Sequence, residues 1–411
     1  MKKSLLSLVL SSTLLSALSY SVAYANCSLE VWEDENKGTG IKEAVETFEE
    51  ETGCTVNITE SPYVNHINVM LDAEENKAVP LPDIVMLPAD RMGDAAKNKI
   101  IRPISFMQED KDRYLLSGIK SFTYNDEIYA CPRSVETMVI YYNQDLLKYP
   151  FEFMEDYYNF AKEIRSQGKY GIISKWDTIY YAYGFLSGFG GYCFKQKADG
   201  TLDPNDIGLD NEGAVRGAEY LRKFIDNTAP SSIFGDDGFA EIDKLFVTGQ
   251  VAAVITGPWA LDDYAKSGLN YGVAPLPKFP NGKYAQPFLG YRGYAVTRNA
   301  KDVALAEKFL RFINQDKFAL KRYENIHEIP PLKSIMHNPL ILNDDFASAV
   351  AIQALHAEPT PSIPEMAKIW EPMNNALYEA MTTKGSIKEA LVKGANKARE
   401  DIKNADFVSF L

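Results

Sequence analysis

Between residues 29 and 87 the chain alternates short apolar runs with longer amphipathic stretches, and this alternation constrains the fold more than any other feature. The run "LEVW" alternates as a strand does, residues 41–52 place apolar side chains on one helical face, and Gly53 occupies a helix C-cap position. "TVNI" is a second strand, a helical segment then runs to about Lys77, and the apolar run "DIVML" is a third strand. This order predicts a parallel sheet covered by helices on both faces.

A second alternation of the same kind follows further along the chain. The helical stretches "YNFAKEIRSQGKYG", "NEGAVRGAEYLRKFIDN" and "AEIDKLFVTG" are interspersed with the strand-like runs "GIIS", "VAAVI" and "YGVA". A length of 411 residues is too great for one ordinary core and suits two domains. The predicted fold class is therefore α/β with two units, and the β-rich residues 138–142 are the candidate crossover between them. In the last helix, Ser386 and Glu389 have the spacing of a capping box.

The composition is that of a water-soluble globular protein, because 46% of the residues are hydrophobic and 24% are charged. The 43 basic and 56 acidic residues give a formal net charge of -13, and there is no long basic run. This balance argues against nucleic acid or an anionic lipid surface as a partner. Beyond the first 25 residues, no segment of the sequence has the ~18 uninterrupted apolar residues of a membrane span.

The first 25 residues, "MKKSLLSLVLSSTLLSALSYSVAYA", have a positive start, an apolar middle and small residues at positions 23 and 25. This pattern predicts a secretory signal peptide cleaved after Ala25. A membrane anchor is the alternative. Cys27 raises a lipoprotein reading, but "YAN" before it is a poor lipidation motif. We therefore expect a soluble protein outside the cytoplasm.

Four cysteines, Cys27, Cys54, Cys131 and Cys193, allow three pairings in an oxidising compartment. Cys27 precedes "LEVW" and Cys54 precedes "TVNI", so a Cys27–Cys54 disulfide fits if these two strands are parallel neighbours. Zinc is the rival use of cysteine, but the chain has no C-x-x-C pair and its four histidines are scattered. We predict no metal and no cofactor, and the pairing of Cys131 with Cys193 stays open.

Polar and aromatic side chains follow three of the predicted strands. Ligands of open parallel sheets bind outside the carboxyl ends of the strands. The residues at these ends are Asp34, Asn36 and Lys37 after "LEVW", Asp90 and Arg91 after "DIVML", and Trp259 after "VAAVI", and Trp370 adds a second indole. Indoles cover the apolar face of a pyranose ring, while carboxylates and cationic side chains bind its hydroxyls. The pattern therefore predicts a sugar site.

Several stretches in the same order carry a family resemblance: "PDIVMLPADRMG", "SVETMVIYYNQDLL", "VTGQVAAVITGPWA", "NYGVAPLP" and "SIPEMAKIW". With these stretches the chain resembles the extracellular solute-binding proteins of bacterial sugar ABC transporters, and among them the maltose/maltodextrin-binding proteins. The resemblance covers nearly the whole mature chain.

The resemblance implies a two-lobed periplasmic-binding-protein fold, each lobe a mainly parallel sheet flanked by helices, with a hinge between the lobes. The implied lobes are residues 26–135 with 288–340, and residues 136–287 with 341–411. It also implies a monomer in the periplasm that binds a maltose- or maltodextrin-type oligosaccharide in the cleft and delivers it to the permease subunits of a membrane complex. No enzymatic activity is implied.

The resemblance assigns sugar contacts residue by residue. The implied contacts are Asp34, Asn36, Lys37, Asp90, Arg91, Glu136, Tyr180, Trp259 and Trp370. Each has a simpler structural reading: packing for the aromatic residues, a helix N-cap for Asp90, a solvated loop for Lys37. The chain departs from the family at Leu87, Thr178, Leu261 and Asn374, which replace a tryptophan, a glutamate, a tryptophan and an arginine, and Asn36 replaces an acid. These departures favour a shorter or differently linked oligosaccharide as an alternative ligand.

Two other function classes fit the sequence less well. A secreted glycosidase needs two carboxyl groups flanking the bond, one with a raised pKa. The acids at the predicted site are accompanied by Arg91 and Lys37, which favour ionised acceptors, and no G-x-S-x-G or H-E-x-x-H motif is present. The same two cationic residues argue against a polyamine or metal cargo.

Overall fold

The computed structural model describes residues 27–76 and 80–408. Within these residues the strands are β1 (Ser28–Asp34), β2 (Thr55–Ser61), β3 (Ile84–Pro88), β4 (Ile101–Arg102), β5 (Thr123–Tyr124), β6 (Glu127–Ile128), β7 (Cys131–Thr137), β8 (Val139–Asn143), β9 (Tyr170–Ile173), β10 (Lys195–Gln196), β11 (Leu202–Asp203), β12 (Val251–Thr256), β13 (Tyr271–Ala274), β14 (Phe288–Thr297) and β15 (Glu358–Pro359).

The α-helices of the same residues are α1 (Lys42–Thr52), α2 (Tyr63–Glu75), α3 (Ala89–Lys97), α4 (Met107–Asp110), α5 (Leu116–Ser121), α6 (Met154–Ile164), α7 (Ile179–Gly188), α8 (Glu212–Thr228), α9 (Gly238–Val247), α10 (Leu261–Lys266), α11 (Val303–Ile313), α12 (Asp316–Ile326), α13 (Pro339–Leu342), α14 (Asp345–Ala354), α15 (Trp370–Thr382) and α16 (Ile387–Val408).

Local sequence signals set several of these boundaries. Helix α1 buries Ala44, Val45 and Phe48, and it ends at Gly53, whose left-handed φ of 71° suits a residue without a side chain. At the start of α16, the Ser386 hydroxyl accepts a hydrogen bond from the Glu389 backbone N–H at 3.2 Å, which satisfies one of the free donors of the first helical turn. Both features agree with the sequence-based predictions.

The first sheet has the strand order β15-β14-β3-β1-β2, and β4 and β7 also pair with β14. Strand β1 is parallel to β2 and to β3, as the strand–helix alternation predicts. The ten-residue strand β14 runs antiparallel to β3, β4 and β7. The α/β class is confirmed. The sheet is nevertheless mixed in direction, because β14 and β7 do not enter it through the strand–helix–strand connections that make neighbouring strands parallel.

The second sheet, in the order β13-β8-β12-β9, differs more from the expected mainly parallel arrangement. Strands β12 and β9 are parallel, but β8 is antiparallel to both β12 and β13. Only Met138 separates β7 in the first sheet from β8 in the second. Parallel neighbours need a long crossover connection, whereas the direction of β8 is set by its direct exit from the first sheet.

The amino-terminal strand is tied to its neighbour by a disulfide between Cys27 and Cys54, whose Cα atoms are 4.8 Å apart. The parallel register of β1 and β2, which begins with Ser28 opposite Thr55, brings the two cysteines together. Cys131 and Cys193 are free and buried. The predicted leader, residues 1–25, lies outside the described residues. In the part of the chain that is described, no helix combines the length and apolar character required to traverse a bilayer.

Candidate functional site

A cleft of about 1090 Å³ lies between the two sheets, at the ends of strands from both. Its volume is slightly above the range of about 300–1,000 Å³ that is typical of small-ligand sites. All nine residues predicted as sugar contacts line it: Asp34, Asn36, Lys37, Asp90, Arg91, Glu136, Tyr180, Trp259 and Trp370. Of the four departures, Thr178 and Asn374 line the cleft. Leu87 and Leu261 are buried at 1% and 7% exposure and pack in the core instead.

The wall formed by the first sheet carries the charged residues. Asp34 is the last residue of β1, and Asn36 turns the chain with a left-handed φ of 61°, a conformation that asparagine tolerates better than most residues. Lys37 follows in the cleft. Burial acts to raise the pKa of nearby Glu328, but the positive charges of Arg133 and Lys37 oppose this, and the pKa is lowered overall. Glu136 projects from β7. These residues gather here because their strands end at the same edge.

Arg292, on β14, lies at the centre of this wall and was missed by the sequence analysis. Its Nη1 is 2.6 Å from Asp34 Oδ2, and its Nε donates to Glu136 Oε2 at 3.0 Å. Burial opposes the charge on the guanidinium, but the two carboxylates more than offset this and raise the pKa of Arg292. The available signal was an arginine inside the otherwise uncharged strand "FLGYRGYAVT", because a charge in a buried strand needs partners.

Asp90 connects the two sides of the cleft. Its Oδ2 accepts a hydrogen bond from Trp370 Nε1 at 3.0 Å and lies 3.4 Å from Arg91 Nε. Trp370 packs against the hydrophobic cluster of the second sheet, so this bond joins the two walls. The N-cap residue of α3 is Pro88, without a side-chain cap, so Asp90 is not the N-cap that the simpler reading predicted.

The Asp90 carboxyl gives a pH-dependent prediction. Burial raises its pKa above the ordinary 3.8, and Arg91 acts against this rise. The folded protein therefore holds this proton more tightly than the unfolded chain, and the contribution of Asp90 to stability is lost as the pH rises through the raised pKa. Asp90→Asn keeps an acceptor for Trp370 and removes the charge. We expect its stability relative to wild type to increase as the pH rises from about 3.5 to about 7.

Urea unfolding of both proteins at closely spaced pH values measures this difference. A stability difference that stays constant over the whole range would show that the carboxyl titrates in the folded protein as it does in the unfolded chain.

The opposite wall is aromatic and is centred on Tyr180. The ring centroid of Tyr180 lies 6.0 Å from Trp259, 6.2 Å from Trp370 and 5.9 Å from Phe288. Its buried hydroxyl finds no hydrogen-bond partner among the described residues. Trp259 is 36% exposed, so part of the indole is open to a ligand. Tyr180 thus combines an apolar surface with an unused polar group.

Trp259 owes its position to the turn after β12. Residues Pro258–Ala260 form a 3-10 turn, and the indole folds back over Gly257. A Cβ atom at Gly257 would lie 2.2 Å from the Trp259 ring, so only glycine permits this approach. The position of Trp259 at the end of β12 therefore depends on the close approach that Gly257 permits and on the turn that begins at Pro258.

Three further lining residues were not predicted from the sequence: the aromatic residues Tyr181 and Phe239, which extend this wall, and Lys175 beside them. Tyr181 packs against Phe239 with centroids 5.4 Å apart, and Phe239 is 45% exposed. Lys175 lies beside them, with its Nζ 2.6 Å from both carboxylate oxygens of Asp177. Tyr181 was not recognised as a site residue, because the consecutive aromatic residues of the helical pattern "YYAYGF" are equally typical of a buried core.

A second contact, near the cleft, links helix α10 to the residue that follows α12. The Nδ1 atom of His327, which follows α12, lies 3.0 Å from Asp262 Oδ1 on α10. Neither residue was predicted to belong to the site, because the two lie 65 positions apart in the sequence.

The cleft thus combines ion-paired hydrogen-bonding groups on one wall with aromatic faces on the other. Within the described ranges, no group of three or more histidine, cysteine, aspartate or glutamate side chains is placed to hold a metal ion. The acids Asp34, Glu136 and Asp90 each have an arginine partner. This arrangement suits a neutral ligand that is rich in hydroxyl groups and has apolar ring faces.

Comparisons with known proteins agree with this chemistry. The model of a family described as bacterial extracellular solute-binding protein matches residues 43–354. The chain is 37% identical over 379 residues to the galactooligosaccharide-binding protein of Bacillus subtilis (strain 168), covering 91% of this chain and 89% of that protein. It is 32% identical over 371 residues to the maltodextrin-binding protein MdxE of the same organism, covering 88% and 87%. The crystal structure of MalX from Streptococcus pneumoniae in complex with maltopentaose matches with a TM-score of 0.83 and 28% identity, over 91% of this chain and 100% of that chain.

Proposed function

Since the chain belongs to the bacterial extracellular solute-binding protein family, we propose that it is the oligosaccharide-binding component of an ABC importer. The observation that carries this proposal is the cleft between two sheets, with charged hydrogen-bonding groups on one wall and aromatic rings on the other. The ligand is a maltodextrin-type oligosaccharide. A galactooligosaccharide is the second candidate, because a relative with 37% identity is named for that ligand.

In this proposal the sugar rings stack on Trp259, Trp370 and Tyr180, and the hydroxyl groups bond to the charged wall. The polar contacts are those of Asp34, Asn36, Lys37, Asp90, Arg91 and Glu136, of which all but Asn36 are charged. Hydrogen bonds to charged groups contribute about 1.5–3 kcal/mol each. A few of them, together with stacking, account for the ~8 kcal/mol of a micromolar site.

Binding is coupled to closure of two lobes. They are the lobes implied by the resemblance, residues 26–135 with 288–340 and residues 136–287 with 341–411, with the first boundary moved to Met138 because β7 stays in the first sheet to Thr137. The single residue Met138 between β7 and β8 supports a crossover at this point. A ligand that touches both walls binds the closed form better than the open one, and this difference in affinity drives closure. The exported protein, without residues 1–25, acts as a periplasmic monomer that hands its sugar to the permease subunits. The extracellular character of the family supports this location.

Isothermal titration of the mature chain tests the function. The ligands are maltose, maltotriose, maltotetraose, galactobiose and galactotriose, with sucrose as an unrelated disaccharide. We expect saturable binding of one series with a dissociation constant of about micromolar order. A chromatographic assay of the recovered ligand checks that the sugar is unchanged. Failure to bind either series would contradict the proposed function, and cleavage of the ligand would favour a glycosidase.

A further inference from the structure

We propose that Tyr63 and Arg292 together form an additional sugar-binding subsite on the wall of the first sheet, which holds one pyranose unit of a neutral oligosaccharide. The inference rests on the proposed function and extends it to two residues that the family resemblance does not assign. Both residues line the cleft.

Arg292 is held in a fixed position before a ligand binds. Two of its nitrogens are held by carboxylates, Nη1 by Asp34 and Nε by Glu136. Its remaining nitrogen, Nη2, makes no hydrogen bond with the described residues, although the side chain lines the cleft. A guanidinium held in this way has lost its rotamer freedom before a ligand arrives, so it loses little further entropy when Nη2 bonds to a sugar hydroxyl.

Tyr63 is the first residue of α2. Its backbone N–H donates to Asp34 Oδ1 at 3.0 Å, so the carboxylate that holds Arg292 also holds the start of this helix. The Arg292 guanidinium lies over the tyrosine ring, with Cζ 5.3 Å from the ring centroid. Cation–π attraction of this kind fixes one face of the ring. The three residues therefore form one connected unit.

The ring of Tyr63 is partly exposed in the cleft. Tyr63 is 40% exposed, so part of its ring is accessible to a ligand there. The guanidinium lies over the ring, and we assign the exposed part of the ring to the ligand. The C–H face of a pyranose fits this surface, while its hydroxyl groups reach Arg292 Nη2 and the Glu136 carboxylate.

The subsite also gives the wall of the first sheet an aromatic surface, which this wall otherwise lacks at the end of β3. Leu87, which stands where the resembled family has a tryptophan, is buried at 1% exposure and offers the cleft no aromatic surface. Tyr63 supplies such a surface to the same wall from a different element, α2 rather than the end of β3. The ligand therefore stacks between aromatic side chains on both walls, with Tyr63 opposite the cluster that contains Trp259 and Tyr181.

Titration of three variants with maltotriose, maltotetraose and galactotriose tests the subsite. We expect Tyr63→Ala to weaken binding of the preferred series by about tenfold or more, since a central interface aromatic costs at least that much on truncation. Tyr63→Phe keeps the ring and is expected to stay within about threefold of wild type. The matched control is Tyr149→Ala, because Tyr149 is 68% exposed and has the Lys148 Nζ 5.5 Å from its ring, but it does not line the cleft.

The outcomes separate the subsite from the function itself. If Tyr63→Ala binds every sugar as wild type does, while wild type binds one series, the subsite is refuted and the proposed function stands. An equal loss in Tyr63→Ala and Tyr149→Ala also refutes it, since the loss would then not belong to the cleft. If wild type binds none of the sugars, the proposed function fails and the subsite with it. Thermal unfolding of each variant verifies that the fold is intact.

Discussion

Replacing Trp259 with alanine is expected to weaken oligosaccharide binding by at least about 30-fold, the equivalent of ~2 kcal/mol for a binding hot spot. The indole stands at the centre of the aromatic wall, 6.0 Å from Tyr180 and 6.2 Å from Tyr181. Truncation removes a stacking face and leaves a water-filled gap against the sugar. The fold should be unaffected, because Trp259 is 36% exposed and lies on a turn. Isothermal titration measures the loss.

Two variants make this result specific. Trp259→Phe keeps a smaller aromatic face, and we expect a loss between those of wild type and the alanine variant. Tyr378→Ala removes an aromatic ring that is 49% exposed on α15 and does not line the cleft, and its affinity should match that of wild type. Unchanged affinity in Trp259→Ala would remove this residue from the site and with it the main support for stacking on this wall.

Replacing Arg133 with methionine is expected to lower the free energy of unfolding by about 3–5 kcal/mol. Arg133 is fully buried on β7, where its Nη1 contacts Glu33 and its Nε donates to Glu328 Oε2 at 2.6 Å. Tyr294 adds its hydroxyl, which donates to Glu33 and lies 3.0 Å from Arg133 Nη1. Without the guanidinium, two buried carboxylates lose the cation that contacts them directly, and much of the cost of burying them is no longer offset.

Urea denaturation of three variants checks this account. The triple variant Arg133→Met, Glu33→Gln, Glu328→Gln removes the stranded charges and should recover much of the lost stability. Arg311→Met removes an arginine that is paired with Asp110 but is 47% exposed, and it should cost less than about 1 kcal/mol. A small effect of Arg133→Met alone would mean that water reaches the two carboxylates.

This buried network also supports the cleft. Glu33 directly precedes Asp34, and Glu328 directly follows His327. The network therefore fixes the backbone next to the cleft residue Asp34 and next to His327, which contacts the cleft residue Asp262. Rigid support of this kind keeps the ligand-binding groups in their binding geometry before the sugar arrives.

Much of the fold was predictable, because the signals are local. The six predicted strands "LEVW", "TVNI", "DIVML", "GIIS", "VAAVI" and "YGVA" correspond to strands in the structure. The nine residues assigned by resemblance all line one cleft, and their contact with sugar stays a prediction. Arg292 was missed because it lies inside β14 and not after a strand end. Tyr63 comes five residues after the predicted strand "TVNI", but nothing in its local sequence distinguishes it from the other tyrosines. Their importance lies in contacts with Asp34, which is 258 residues from Arg292.

The sequence by itself determined the periodicity of the helices and strands, the glycine that ends α1 and the order of motifs that indicates the family. These features depend on residues a few positions apart. The tertiary structure decided the antiparallel entry of β8 into the second sheet, the Arg292 ion pairs and the bond between Trp370 and Asp90 across 280 residues of chain. The physical reason is that burial makes such distant polar groups pair with one another, and only the folded chain shows which groups are buried together.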